Sequence, residues 1–463
     1  MRPHLASLLI TLLVSGCTVG PDYKRPSAVV PTEFRAASPE ASKGEAASLG
    51  DQKWWDVFRD EQLQSLIRTA IQQNYDLRIA ATRVLQAQAQ LGITRSNQFP
   101  SVSGGANLSA QRTPQTIAFP ALEQSTGQLF LSAAWQLDFW GQYRRATEAA
   151  RASLLATEWG RRAVISSLVS SVASAYFELR ALDLQMELSQ NALTARRESL
   201  RLTSVLANHG NTSELDVRQA EQLVYTASEE IPDLERRIQQ QENLISTLLG
   251  NNPGPIARGL PLTEQPHAPE VPAGIPSELL ERRPDIRQSE QFLIAANAQI
   301  GVARAAYYPQ ISLTGAGGFQ SDALARLFAG SAGLWSFAGS LAQPIFTAGR
   351  IRSGVRLAEA QQQEAVLSYQ QTIQQSFREV SDALIGYRKL REFREQQELL
   401  TSSAQGAAHL SNVRYKGGVA SYLEVLTNET NYFTAELNLA QAQANELLSL
   451  VQLYQALGGG WQQ

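Results

Sequence analysis

Between residues 97 and 110 the period of the chain changes. An Ala- and Gln-rich helical pattern stops at Phe99-Pro100, and "SVSGGANLSA" then alternates at every second residue. Val102, Gly104, Ala106, Leu108 and Ala110 fall on one face; Ser101, Ser103, Gly105, Asn107 and Ser109 fall on the other. That predicts a β-strand with one apolar side. The event recurs 209 residues later in "AAYYPQISLTGAGGFQ", where Ile311, Leu313, Gly315, Gly317 and Phe319 alternate with Ser312, Thr314, Ala316 and Gln320. Each of these strands is followed by another. In "QLFLSAAWQLDFW", Leu129, Leu131, Ala133, Trp135, Leu137 and Phe139 oppose Gln128, Ser132, Ala134, Gln136 and Asp138. Further on, Trp335, Phe337, Leu341 and Ile345 oppose Ser336, Ala338, Ser340 and Ala342.

A hairpin packed on a soluble core is the plainer reading of such strands. Against it, the second face of all four reads as small and polar, free of Lys and Arg. Aromatic residues also collect near the strand ends, at Trp135, Phe139, Trp140, Trp335, Phe337 and Phe346, as they do at membrane interfaces.

The rest of the pattern is helical. From about Gln142 to Asn208 there is no proline, which predicts one helix on the order of 100 Å long. Ile165, Leu168, Val172, Ala175, Leu179, Leu182, Met186 and Leu193 keep heptad spacing, with one step on Ser189, as in a coiled-coil seam. A helix of roughly 37 residues is expected before the first strand, and another of about that length after a tight turn.

The chain contains this plan twice. Shifted by 209, residues 76–102 align without gaps on 285–311: Asp76 meets Asp285, Arg95 meets Arg304 and Pro100 meets Pro309. A shift of 208 continues the match, placing "NHGNTSELDV" on "KGGVASYLEV" and Leu249-Gly250 on Leu457-Gly458. The period is too long for a solenoid. The expected organisation is a signal peptide (1–16), a lipidated extended segment (17–50), a first repeat (51–250), a Pro-rich linker (251–276), a second repeat (277–458) and a tail (459–463). Seven of the 19 prolines stand in that linker, as suits an extended connection.

Composition narrows the function. A net charge of -3 with 18% charged residues and no basic block offers no nucleic-acid surface. Four scattered histidines and one cysteine argue against zinc clusters and redox pairs. No GxGxxG, P-loop, GxSxG or HExxH occurs, so nothing asks for a cofactor or a catalytic site. An enzyme on a helical scaffold would need convergent titratable groups. A lipid-anchored structural coiled coil would need no aromatic-rimmed strands.

At the N-terminus Arg2 precedes the apolar run "LASLLITLLV" and then "SGC", the layout of a secretory signal. "VSGC" fits a bacterial lipobox, so Cys17 is expected to carry acyl chains and anchor the chain to a membrane. Thr18 after it, by what is known of such lipoproteins, favours the outer membrane. Four strands cannot close a barrel, since the smallest membrane barrels have about eight. In a bilayer the open edges must therefore be closed by other chains. Three chains would give twelve strands, although the arithmetic alone permits other multiples.

The ordered motifs "VSGCTVGPDYKRP", "WWDVFRDEQL", "ELLERRPDIRQSE", "AAYYPQISLTG", "VRYKGGVASYLEVL" and "ALGGGW" resemble the outer membrane factor lipoproteins, the TolC-like, NodT-type efflux channels. The resemblance covers essentially the whole mature chain. It implies a mainly α fold with a membrane β-barrel: a homotrimer with a 12-stranded barrel and a periplasmic α-helical barrel. It also implies a passive exit duct that docks a periplasmic adaptor protein and an inner-membrane pump, commonly of the resistance-nodulation-division class. In this family the helix–turn tips close like an iris. Here those tips are His209–Leu215 and Gly417–Leu423. The resemblance assigns Asp216, Tyr415 and Glu424 to the closed gate, and Leu423 is an apolar residue placed to seal it. Ala420 and Thr427 depart from the pattern, standing where relatives carry an arginine and an aspartate.

Overall fold

The structure is a computed structural model that describes residues 18–28, 30–32, 34–35, 48–115, 117, 120–266 and 276–462. Helices α1 (Trp54–Val57), α2 (Glu61–Gln73) and α3 (Tyr75–Ser96) lead to strands β1 (Ser101–Thr113) and β2 (Leu122–Leu137), followed by α4 (Gln142–Asn208) and α5 (Glu214–Leu248). The order then repeats in α6 (Pro276–Arg282), α7 (Pro284–Ala305), β3 (Gln310–Ser321), β4 (Gly333–Ala342), α8 (Arg350–Lys416) and α9 (Tyr422–Ala456). Corresponding helices match in length: α4 and α8 have 67 residues each, α5 and α9 have 35, and α3 and α7 have 22.

The single lead-in helix expected before each first strand is in fact broken. Asn74 ends α2 and starts α3: its Oδ1 accepts the Leu77 N–H at 3.0 Å, and its Nδ2 donates to the Leu248 carbonyl at 2.9 Å. In the second copy Pro284 opens α7, where its missing N–H costs nothing. Two strands also end earlier than their alternation suggests. The Asp138 carboxylate accepts the Arg144 N–H at 2.8 Å and so belongs to the start of α4, which leaves Phe139 outside β2. Pro344 follows β4 and excludes Ile345 from it. The tight turns after α4 and α8 are Schellman closures. Gly210 and Gly418 take φ of +73° and +71°, and Asn211 and Val419 donate to the carbonyls of Leu206 and Arg414.

The chain forms two compact units, and each takes segments from both copies. The first comprises the described part of residues 1–27 together with Arg83–Glu158 and Gln288–Gln370. It holds one sheet of four antiparallel strands in the order β1-β2-β3-β4, so the β2–β3 pair joins the two copies. β1 and β4 are bonded on one side only. The segment after residue 17 straps this unit: the Val19 N–H donates to the Trp140 carbonyl at 3.1 Å, and Arg145 pairs with Asp22 at 2.7 Å. Arg25 pairs with Glu290 at 3.0 Å. Gly20 and Gly301 allow the close approach, for a Cβ on Gly20 would stand 2.5 Å from the Gly301 Cα.

The second unit comprises Ala28–Thr82, Trp159–Arg287 and Gln371–Gln463, again in their described parts. Its apolar core includes Leu63 and Ile67 of α2, Tyr176 and Leu179 of α4, Ile245 of α5 and Tyr454 of α9. The heptad residues Ile165, Leu168, Val172, Ala175, Leu179 and Leu182 are all buried, as is Ser189. Val169, Ala173, Tyr176 and Phe177 are buried too, so burial here is wider than a two-position seam. Asp60 fixes the segment of chain beyond α5. One oxygen caps α2 through the Gln62 and Leu63 N–H groups; the other accepts from Tyr176 at 2.8 Å, Leu260 at 2.9 Å and Gln265 at 2.8 Å. Burial alone would raise the Asp60 pKa, but these donors outweigh it and hold the carboxyl below its ordinary value. Among the described residues no helix is long and apolar enough to cross a membrane.

Candidate functional site: sheet faces and paired turns

The register confirms one apolar face. Gly104, Leu131, Gly317 and Trp335 form one cross-strand row; Val102, Ala133, Gly315 and Phe337 form the next. Leu313, Trp135 and Leu341 lie on the same side, and Leu108, Leu131, Trp335, Phe337 and Leu341 are all exposed. The opposite face carries Ser103, Ser132, Ala316 and Ser336 in one row. Hydroxyls pair across it, Ser103 to Ser132 at 2.8 Å and Ser312 to Ser340 at 2.6 Å. This face is not uniformly small and polar, however. Phe130 and Leu334 also lie on it, which the alternation of "QLFL" does not reveal, because three consecutive residues there are apolar.

Aromatic side chains gather where the strands meet the helices. Trp140 stacks on Tyr308 with ring centroids 4.8 Å apart and donates to the Pro309 carbonyl at 2.8 Å. Trp135 donates to the Gln98 carbonyl at 3.1 Å. Phe99, Tyr307 and Phe346 are exposed nearby in sequence. Thr18 packs beside Gly141 at this end: a Cβ on Gly141 would stand 2.8 Å from the Thr18 Cγ2. Cys17, the expected lipidation site, lies outside the described residues.

The two turns of the second unit bring Asp216 and Tyr415 into one network. Ser213 caps α5 in a capping box: its hydroxyl accepts the Asp216 N–H at 3.2 Å, and the Asp216 carboxylate accepts the Ser213 N–H at 3.3 Å. The same carboxylate accepts the Thr212 hydroxyl, which stands 3.4 Å from the Tyr415 hydroxyl. The Tyr415 ring meets Tyr422 edge-on at 5.2 Å. Tyr422 is buried with Ala220 and Val425, and burial raises its pKa, keeping the hydroxyl neutral.

Glu424 has a different partner, Arg414, at 3.0 Å. Thr212, Arg414 and Tyr422 are thus members of the turn region that sequence reasoning did not single out. Leu423 is 55% exposed, and Leu215 and Val419 are exposed beside the turns. Ala420 is half-buried, and Thr427 bonds back to its own helix at the Leu423 carbonyl. Among the described residues, no group of three or more His, Cys, Asp or Glu could hold a metal ion.

Known proteins share both sequence and fold with this arrangement. The family described as outer membrane efflux protein matches residues 66–251 and again 275–459, one match per copy. The chain is 38% identical to the toluene efflux pump outer membrane protein TtgC of Pseudomonas putida, over all of this chain and 96% of that one. It is 34% identical to the cation efflux system protein CusC of Escherichia coli, over 99% of each. The open-state crystal structure of the MtrE outer membrane channel of Neisseria gonorrhoeae superposes with a TM-score of 0.88 at 33% identity, over 96% of this chain and 99% of that one.

Proposed function

Since the chain belongs to the outer membrane efflux protein family, we propose that three copies of it close one barrel in the outer membrane, each adding four strands to a total of twelve. The protein is the outer-membrane channel component of an efflux system. The observation that supports closure by further copies is the sheet itself, and the family resemblance sets their number at three. It has an exposed apolar face and two open edges, β1 and β4. In a bilayer each unpaired backbone group at such an edge costs several kcal/mol, so the edges must meet those of other copies. Strands of 10 to 16 residues are long enough, since about 9–11 tilted residues cross the hydrocarbon core. With Leu131 and Trp335 facing lipid, the serine rows line a polar lumen.

In this reading the helices lie in the periplasm, where an adaptor protein engages the turns and an inner-membrane pump, of the resistance-nodulation-division class, drives export. Asp216, Tyr415, Leu423 and Glu424 hold the resting gate, with Thr212 and Arg414 as their partners. Acyl chains on Cys17 would add a lipid anchor to the barrel. Relatives are named for toluene and for cations; in this reading the choice of cargo lies mainly in the pump. Electrophoresis of outer-membrane extracts tests the assembly: unheated protein should run as a trimer and boiled protein as a monomer. A monomer under both conditions would overturn it.

A further inference from the structure

One cross-strand row interrupts the polar face of the sheet. Gly105, Phe130, Gly318 and Leu334 are successive partners across β1, β2, β3 and β4. The Phe130 ring lies over Gly105, where a Cβ would stand 2.7 Å from its Cζ. On the other side, a Cβ on Gly318 would stand 2.6 Å from the Phe130 Cα. The row therefore alternates two large apolar side chains with two positions that have no room for any. Polar rows flank it, Asn107, Gln128 and Gln320 on one side and Ser103, Ser132, Ala316 and Ser336 on the other. Phe130 and Leu334 are only half-buried, so each presents apolar surface on this face. A single exposed apolar residue needs no explanation. Two in one row, with a glycine left bare for the ring to lie on, form a patch.

We propose that Phe130 and Leu334 form an apolar collar in the lumen that contacts the apolar part of passing solutes. The proposal rests on the channel reading, in which this face lines the duct. Three copies would place three phenyl and three isobutyl groups at one level, between belts of serine and glutamine. Water gains few hydrogen bonds at such a level, while an aromatic or lipophilic solute gains contact. A cation with aromatic substituents would also gain attraction from the phenyl faces.

Purified trimer in a planar bilayer tests this, with tetraphenylphosphonium or tetramethylammonium added on the side of the β1–β2 and β3–β4 loops. Tetraphenylphosphonium should interrupt the parent current reversibly, and Phe130→Ala should shorten those interruptions about tenfold. Tetramethylammonium should interrupt neither. Gly105→Ala displaces the ring and should shorten the interruptions in the parent, yet change nothing further in Phe130→Ala. If Phe130→Ala does not assemble, Leu334→Ser should give the same direction of effect. Equal dwell times in parent and variant, or equal responses to the two cations, would overturn the collar. A parent that conducts but is never interrupted would overturn it as well. A parent that inserts as a trimer and never conducts would overturn the channel reading instead.

Discussion

The Tyr415 hydroxyl lies 3.4 Å from the Thr212 hydroxyl, which is 203 positions away in the chain. These residues belong to equivalent turns of the two copies, so one tyrosine ties the turns together within a single protomer. Its ring is held separately, against Tyr422.

Tyr415→Phe removes that tie and leaves the ring contact. A lost hydrogen bond of about 1 kcal/mol shifts a closed–open equilibrium roughly fivefold toward open. Uptake of a bulky dye by intact cells should rise by about that factor. Ser213→Ala is the control, because it removes the α5 cap but leaves Asp216 to Thr212. It should cost ~1 kcal/mol of stability without raising uptake.

The two faces of β2 should respond oppositely to a cation. Leu131→Arg places charge on the exposed apolar face and should impair assembly, at ~2–4 kcal/mol near the bilayer midplane. Ser132→Arg, one residue on, should assemble and alter conduction. Trimer yield in outer-membrane fractions distinguishes them, and equal tolerance would reverse the face assignment.

Asp60 links a helix cap to the chain segment beyond α5. Its carboxyl is held below its ordinary value of 3.8. Its stabilisation is therefore fully present above pH 4 or so and lost as the pH falls through the lower folded-state value. Asp60→Ala leaves the Tyr176 hydroxyl and the Leu260 N–H without this acceptor and should cost about 2 kcal/mol or more. Thermal unfolding followed by circular dichroism at pH 7 should show a lower midpoint. The variant should also lack the parent's further loss of stability below pH 4.

Cys17→Ser should abolish acylation while the trimer still inserts, because twelve strands anchor far more strongly than acyl chains. Metabolic labelling with a fatty acid and membrane fractionation check the two halves. A variant recovered wholly as soluble periplasmic protein would contradict the barrel.

Much of this fold is legible in the sequence. The extent of α4 follows from the proline-free stretch between Gln142 and Asn208, and the strand faces follow from a period in which any one-residue slip turns every side chain over. The break at Asn74 is not legible, since asparagine is tolerated inside helices and its partner, the Leu248 carbonyl, is 174 positions away. The proposed gate is legible only in part. Asp216 and Glu424 stand out as acidic residues at helix starts, but their partners Thr212 and Arg414 become visible only when the turns are folded. Phe130 was hidden differently: between Leu129 and Leu131 it reads as part of an apolar run, and only the register places it on the other face.

The most direct test of the central claim is single-channel recording of the purified trimer without adaptor. The parent should give discrete current steps with low open probability, and Asp216→Ala combined with Tyr415→Phe should raise that probability. A double mutant with the parent's open probability would contradict a duct closed at the paired turns.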